Sequence, residues 1–503
     1  MATKKKAAPA QNTGQLDMLE PLGLSKSVSY TQEQEEFICH DGQTSVILAA
    51  TAGSGKTFSC VQRLKTLVDR GVDPNKIIFF SFTKAATEEL RERVEAAGIL
   101  VRDKVSQGEG VTITTIHAFA NSLLARMGKF KEVATFYEFM NWFKIEHRPS
   151  SHATQEQKEA FHELIASMYE DADQISSAIG AFKLQSADNI KAAVPDFYND
   201  YKKFLKDKKK RDFSDMLIEV RDSLRDNKWL KKFRGDYDYI FIDEYQDTST
   251  IQLQILLALN AKYYYMIGDR NQSIYGYSGA NCLKLEEMLK KRRDVKEMTL
   301  SVNFRSDKNI VENSNKYSSL TAVANSEESG YVDKKIMVRI DDLVELLKQP
   351  GEVVVLVRTN AIIRKLEREL LKRQVPMRYF NYINDEDIVN FKRGEVSAYL
   401  RGKLNNFKHY FENDAQLIAF IERFKTSNKF VTTIHKSKGR EFDECVVINS
   451  IAPDVLQECG VYGKLSKKML DKISFTDKDE ESRNIHYVAV SRSRHKLHFM
   501  IYE

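Results

Sequence analysis

The stretch Ala50-Thr51-Ala52-Gly53-Ser54-Gly55-Lys56-Thr57 decides how the rest of this 503-residue chain is read. It follows a short apolar run, Ser45 to Ala49 (SVILA), that reads as a buried strand. It precedes Phe58 onward (FSCVQRLKTLV), whose apolar spacing is helical. Strand, glycine-bearing loop and helix together make a phosphate-binding loop of the form G-x-x-x-x-G-K-[ST], with Ala50 in place of the first glycine. Gly53 and Gly55 let backbone N–H groups turn inward with no Cβ in the way. Ala52, Gly53, Ser54 and Gly55 then cradle an anion at a helix N-terminus, where the helix dipole favours it. Lys56 is expected to reach the β- and γ-phosphates of ATP, and the Thr57 hydroxyl to hold Mg²⁺. A glycine-rich turn without a ligand does not account for the Lys56-Thr57 pair.

Working outward, the length predicts roughly two to four domains, each with its own core. The hydrophobic fraction of 42% is that of an ordinary globular protein. No apolar run approaches the roughly 18 residues of a membrane span, and no signal-peptide pattern is present, so no membrane partner is expected. The five cysteines (Cys39, Cys60, Cys282, Cys445, Cys459) are scattered without metal-ligand spacing, which suits free thiols and a cytoplasmic location. A net charge of +6, from 77 basic and 71 acidic residues, permits a polyanionic partner without demanding one.

Along the chain, residues 1–26 read as a disordered tail beginning MATKKKAAPA. Within it, Gln15-Leu16-Asp17-Met18-Leu19 resembles the short peptide by which bacterial replication proteins dock onto the sliding clamp. An incidental apolar cluster is the alternative. From Tyr30 the pattern becomes regular: Thr31 caps a helix carrying Gln34, and strands follow at Lys76–Phe80 and Val111–Thr115. Residues 121 to about 210 have no strand run and carry Phe136, Tyr137, Phe139, Trp142 and Phe143 at helical spacing, which predicts a helical insertion. It ends in the basic cluster Lys202-Lys203 and Lys206 to Arg211, read either as a solvated helix face or as a phosphate-contacting patch. Strands resume at Tyr239–Ile242 and Lys262–Ile267. A second α/β series follows Arg305, with strands at Gly351–Val357, Phe430–Ile434, Cys445–Asn449 and Lys496–Ile501 and a helix at Ala361–Arg373. The expected fold class is therefore α/β, a duplicated parallel-sheet nucleotide-binding fold with a cleft between its halves.

Hydrolysing a nucleoside triphosphate requires a phosphate cradle, a metal, an oriented water and positive charge against the transition state. The sequence offers a candidate for each. Asp243, delivered at the C-terminal edge of a buried strand, is placed to complete the Mg²⁺ site, and Glu244 to orient or deprotonate the attacking water. Gln272 is the candidate γ-phosphate sensor. Arg305 and Arg492 are candidate arginine fingers, a class of residue worth roughly 10³–10⁵ in rate.

The motifs occur in an order that resembles one family closely. ATAGSGKT, SFTKAATEELRERV, TTIHAFA, DFSD, IDEYQDTSTIQ, IGDRNQSIYGYSGA, VNFRS, VRTNAIIRKLE, TTIHKSKGREF and ESRNIHYVAVSRS are similar to those of superfamily 1 DNA helicases of the UvrD/Rep/PcrA type. The resemblance implies two RecA-like P-loop domains: the first (1A) from 27–120 and 211–304, interrupted by a helical insertion (1B) at 121–210, and the second (2A) from 305–503. It implies that Gln34 reads the adenine edge, that Phe304 stacks near the adenine, and that Glu441 hydrogen-bonds the ribose, with Gly439 in the same loop. It further implies that single-stranded DNA contacts Phe82, Thr83, His117, Tyr275, Tyr277, Thr433 and His435, with aromatics between bases. Such stacking is sequence-tolerant and worth roughly 1–3 kcal/mol per base; core packing is the alternative for each aromatic taken singly. The implied activity is ATP-dependent translocation on single-stranded DNA, with 3′→5′ direction, opening duplex at junctions during replication, repair or recombination.

The sequence also departs from the family pattern. Ala50 replaces the first loop glycine, Ser278 stands where arginine is usual, and Tyr277 replaces the preceding tryptophan. Only about 30 residues separate Arg401 from Val431, so the accessory 2B domain is expected as a truncated insertion near 400–430. That shortening raises a second reading, a translocase that displaces bound proteins with little strand separation. A third is a replisome-tethered binding module with a vestigial ATPase. Residues 450–479 are a candidate position for a strand-separating hairpin.

Overall fold

A computed structural model of the chain describes residues 29–502, apart from 106, 171, 188–190, 192, 277–279, 376, 380–411, 475–478 and most of 414–426. The 15–19 segment, Tyr277, Ser278 and most of the 400–430 segment lie outside the described residues. The chain forms two compact units. One comprises the chain up to Ala49 with Gly55–Gly268 and Tyr277–Leu300; the other comprises Ala50–Ser54, Asp269–Gly276 and Ser301–Glu503.

The first unit is built on a six-stranded sheet of β1 (Ser45–Ala50), β2 (Ile77–Ser81), β3 (Thr112–Thr115), β4 (Tyr239–Asp243), β5 (Tyr263–Gly268) and β6 (Val295–Leu300), in the order β3-β2-β4-β5-β1-β6. β3–β2, β2–β4, β4–β5 and β5–β1 pair in parallel, with Val46 opposite Tyr265 and Phe80 opposite Ile242. These strands are near-continuous apolar runs because helices cover both faces of a parallel sheet. The helices α1 (Gln32–Ile38), α2 (Lys56–Asp69), α3 (Lys84–Ala96) and α4 (Ile116–Arg126) alternate with the first strands. Buried Arg63 ties α2 to the end of α1 and to β5 by donating to the carbonyls of Ile38 (2.9 Å) and His40 (2.6 Å) and to the Tyr265 hydroxyl (2.8 Å).

Four helices then leave the sheet: α5 (Phe136–Glu146), α6 (Gln155–Glu170), α7 (Ala172–Ala187) and α8 (Tyr198–Asp207). They enclose their own core of Phe136, Phe139, Met140, Phe143, Met168, Tyr201 and Phe204, so most of the aromatics singled out at helical spacing are packing residues. Tyr137 is exposed. α9 (Phe213–Ser223), α10 (Asn227–Phe233), α11 (Thr250–Ala258) and α12 (Cys282–Lys290) complete the unit.

The second unit begins with the short parallel pair β7 (Val302–Asn303) and β8 (Val323–Ala324). Its main sheet contains β9 (Tyr331–Met337), β10 (Val353–Val357), β11 (Arg378–Tyr379), β12 (Lys429–Thr433), β13 (Phe442–Ile448) and β14 (Ser493–Met500), in the order β11-β12-β10-β13-β14-β9. Every neighbouring pair is parallel. Its helices are α13 (Lys308–Asn315), α14 (Ile340–Lys348), α15 (Asn360–Lys372), α16 (Ile434–Ser437), α17 (Pro453–Glu458), α18 (Lys467–Ile473) and α19 (Glu480–Val490). The described residues between 450 and 474 thus hold two short helices and a 3₁₀ turn at Tyr462–Lys464, joined by turns, and no β-strand. Ser466 caps α18, and Pro453 starts α17 where its missing N–H costs nothing.

All five cysteines are free thiols. Among the described residues no helix is long and apolar enough to cross a membrane.

Candidate nucleotide and nucleic-acid site

In the first unit, α2 starts at Lys56 with Gly55 as its N-cap at φ +77°, the left-handed conformation in which a side chain would be strained. Lys56 Nζ lies 3.2 Å from Glu244 Oε1, a partly buried ion pair that brings the phosphate-loop lysine to the end of β4. Thr57 follows in the first turn of α2. Asp243 ends β4, and Glu244 takes φ +50°, so the chain turns sharply between the two carboxylates; the Glu244 N–H donates to Asp243 Oδ1 at 2.9 Å. Gln246 Nε2 donates to Glu244 Oε2 at 2.5 Å. Burial and the adjacent Glu244 charge push the Asp243 carboxyl up to about 7, with Lys56 pulling the other way.

A carboxylate held in that environment favours a divalent cation beside it, which supplies the opposing charge. Thr57 and Asp243 present the hard oxygen donors that suit Mg²⁺, an ion that usually takes one or two carboxylates along with phosphate oxygens. Among the described residues no group of three or more His, Cys, Asp or Glu side chains is arranged to hold a metal by itself.

Within the second unit, the first half of the phosphate loop is gripped by β7 and the residues after it. Phe304 N–H donates to Gly53 O (2.9 Å), and Asn303 Nδ2 donates to Ala52 O (2.8 Å). Ser54 is buried, its hydroxyl donating to Thr51 O at 2.8 Å. Arg305 donates through Nε to Glu441 Oε2 at 2.5 Å, and Arg494 donates to the other Glu441 oxygen at 2.6 Å. Glu441 therefore holds two arginines in place, and despite the desolvation of its site these contacts keep its carboxyl below the usual range. It also lines a cavity of about 270 Å³ with Phe430, Thr432, Arg440 and Phe442. Gly439, at φ +81°, makes the turn into that segment.

Arg492 is 1% exposed: Nε donates to Val488 O (3.0 Å), Nη1 to Arg440 O (3.1 Å) and Nη2 to Gln272 Oε1 (3.3 Å). Gln272, itself buried, donates to Asp269 Oδ2 at 2.9 Å. The structure thus brings Gln272 and Arg492 together, and holds Arg305 through Glu441. Phe304 is 47% exposed, a free-standing aromatic face beside the loop. In the first unit, Gln34 is buried in a capping box: its Oε1 accepts from Thr31 N at 3.0 Å while Thr31 Oγ1 accepts from Gln34 N at 3.2 Å.

The residues assigned to DNA fall into two groups. In the first unit, Phe82 is 42% exposed and Thr83 caps α3, accepting from Ala86 N at 3.1 Å. His117 is edge-on to exposed Phe213 at 5.1 Å, and burial holds its imidazole below the usual range. In the second unit, Tyr275 and His435 meet edge to face at 5.8 Å, and His435 Nε2 lies 3.2 Å from Ile274 O. Thr433 is buried and caps α16, accepting from Lys436 N at 3.2 Å.

Several contributors were not singled out from sequence. Phe213 sits inside the quoted DFSD motif, between its two aspartates. Those aspartates cap α9 and bind buried Lys183, at 2.7 Å to Asp212 and 2.8 Å to Asp215. Lys438 donates to Gln272 O at 2.5 Å and lies over the Tyr275 ring at 5.4 Å. Asn303, Asp269 and Tyr487 organise the loop's surroundings. All lie within quoted motifs, yet nothing in residue type alone marks them.

Residues 30–294 match the model of the UvrD/REP helicase N-terminal domain. The chain is 26% identical over 490 residues to a probable DNA helicase of Mycoplasma pneumoniae, a match covering 93% of this chain and 82% of that protein. It is 29% identical over 378 residues to the ATP-dependent DNA helicase PcrA of Leuconostoc citreum, covering 66% of this chain and 47% of the relative. To the probable DNA helicase II homolog of Mycoplasma capricolum it is 25% identical, over 66% of this chain and 49% of that one. The match thus spans about half the length of the latter two. The chain belongs to the UvrD/REP helicase family, the superfamily 1 type of ATP-dependent DNA helicase, and its two parallel sheets are RecA-like domains.

Proposed function

We propose that this chain is an ATP-driven motor that translocates 3′→5′ on single-stranded DNA and opens duplex at single-strand/double-strand junctions. The reading is supported above all by the Lys56–Glu244 pair at the end of β4, beside Asp243, with Lys56 following directly on a loop that holds two left-handed glycines. Those groups are what phosphoryl transfer to water requires: a cradle, a cation site, and a carboxylate to orient the attacking water. Mg²⁺, when bound, neutralises charge on the β- and γ-phosphates. Lys56 binds the phosphates, Asp243 and Thr57 hold the ion, and Glu244 orients the water. Gln272 senses the γ-phosphate, while Arg305 and Arg492 place positive charge against the transition state. Gln34 and Phe304 take the adenine, and Glu441 with the Gly439 turn takes the ribose side.

Family membership and the exposed Phe82 and Phe213 support nucleic acid as the track, gripped by Phe82, Thr83, His117, Tyr275, Tyr277, Thr433 and His435. Opening one base pair costs on the order of 1.4 kcal/mol in stacking, well below the yield of one ATP. Free thiols and the family support a cytoplasmic setting in replication, repair or recombination.

Unwinding of 3′-tailed and 5′-tailed duplexes, side by side with ATP, tests the proposal: strand separation confined to the 3′-tailed substrate is expected. Separation of the 5′-tailed duplex alone would reverse the polarity. The short 401–431 interval favours one second reading, a translocase that strips proteins from DNA; protein displacement at full ATPase rate without strand separation would select it. Residues 15–19 are proposed to dock on a sliding clamp. Their deletion should abolish clamp binding and spare ATP hydrolysis, and unchanged clamp affinity would remove that proposal.

A further inference from the structure

Tyr487 lies on α19, five positions before Arg492, with its ring buried in an apolar cluster that includes Ala52, Ile274, Ile485 and Val488. A phenylalanine would fill the same space. A hydroxyl buried there costs free energy unless it is hydrogen-bonded, and this one is bonded on both sides. It donates to Asp269 Oδ2 at 3.1 Å and accepts from the Ala52 N–H of the phosphate loop at 3.4 Å. Burial and the neighbouring Asp269 carboxylate both push the Tyr487 hydroxyl well above its ordinary range, so it remains a donor at any physiological pH.

Asp269 is fixed in turn. Its Oδ1 accepts from the backbone and side-chain nitrogens of Asn271 (3.0 and 3.1 Å), and its Oδ2 accepts from Gln272 Nε2 at 2.9 Å. Gln272 Oε1 then accepts from Arg492 Nη2 at 3.3 Å. An unbroken chain of hydrogen bonds therefore runs from the Ala52 N–H through Tyr487, Asp269 and Gln272 to the Arg492 guanidinium. All of these residues lie within the second unit.

We propose that Tyr487 is a positioning residue for ATP hydrolysis: its hydroxyl locks Asp269, and through it the Gln272 amide and Arg492, to the phosphate loop. The proposal rests on the assignment of Gln272 and Arg492 to the hydrolysis site. Chains of polar groups of this kind reinforce one another, and their contribution is separable only by paired substitutions. The hydroxyl bonds to Asp269 and to the Ala52 N–H. Its removal should therefore act on turnover through Gln272 while leaving Lys56, Thr57 and the helix N-terminus to bind ATP as before.

The test is a double-substitution cycle of Tyr487→Phe and Gln272→Ala, read as single-turnover DNA-stimulated ATP hydrolysis, with melting temperature and KM for ATP measured alongside. Tyr487→Phe alone should slow hydrolysis by roughly 10- to 100-fold, the range expected when a charge-assisted hydrogen bond that orients a reacting group is lost. KM should stay within about twofold. In the Gln272→Ala background the same change should slow hydrolysis by less than about twofold, since the group it positions is gone. Equal slowing in both backgrounds, wild-type turnover, or a fall in turnover that tracks a fall in melting temperature would each overturn the role. Wild-type turnover in Tyr487→Phe, with hydrolysis abolished by Lys56→Ala, overturns the relay alone. Hydrolysis that survives Lys56→Ala overturns the site assignment and the relay with it.

Discussion

Position 53 combines two requirements that only glycine meets. Its φ is +72°, and a Cβ there would stand 2.7 Å from Arg305 Cβ and 2.9 Å from Asn303 Oδ1. The left-handed conformation costs a residue with a side chain roughly 1–2 kcal/mol before the clash is counted. Gly53→Ala should therefore lower the melting temperature and raise the KM for ATP together; an unchanged KM would mean that Arg305 and Asn303 yield freely. The absent first glycine is the milder departure, because Ala50 ends strand β1 and does not appear among the left-handed positions.

A second residue-scale prediction concerns Glu367, buried on α15. Burial pushes its carboxyl up to about 8 from an ordinary 4.5, with Arg364 opposing. The folded chain then keeps the proton up to about pH 8, whereas the unfolded chain releases it near pH 4.5. Folded-state stability through this group consequently declines as pH rises across that window. Glu367→Gln should melt above the parent at about pH 8.5 and together with it at about pH 5. Equal melting at both would show that the carboxyl ionises normally in place.

At the scale of elements, the junction of α7 and α9 depends on one cation. Buried Lys183 pairs with buried Asp212 and half-exposed Asp215, the residues of the α9 capping box, and burial drives the Asp212 carboxyl up even with that partner present. Removing one member of a buried ion group strands the others and costs roughly 3–5 kcal/mol. Lys183→Met should lower the melting temperature markedly, and adding Asp212→Asn should recover part of the loss; failure to recover would mean that lost packing dominates.

How much of the fold was legible follows the same physics. Central strands β1, β2, β4, β5, β10 and β13 are buried, largely apolar runs, and β12 and β14 carry shorter apolar stretches, so each is legible within a few residues. The edge strands β6 (VKEMTL) and β9 (YVDKKIM) are not legible, because edge positions carry charged side chains facing solvent and lose the apolar run that marks a strand. The hairpin expected at 450–479 rests on position alone, and the described part of that segment holds the helices α17 and α18 and a 3₁₀ turn instead. Of the candidate site, glycines, Lys56, Asp243 and Glu244 were legible because the chemistry demands those residue types. Tyr487, Asp269 and Asn303 were not, since their importance lies in hydrogen bonds made over long sequence separations.

At the scale of the whole molecule, the chain comprises two units, each built on a parallel-stranded sheet of the RecA-like type. The claim on which everything else depends is that the loop at Ala50 to Thr57 is the site of ATP hydrolysis and that DNA stimulates it. The most direct measurement is steady-state ATP hydrolysis with and without single-stranded DNA, for the parent chain and Lys56→Ala. The expected result is hydrolysis that rises on adding DNA in the parent and falls by roughly 100-fold or more in the variant, the loss that follows when a preorganised charge at the reacting phosphate is removed. Hydrolysis that ignores DNA, or that persists in Lys56→Ala, would contradict it.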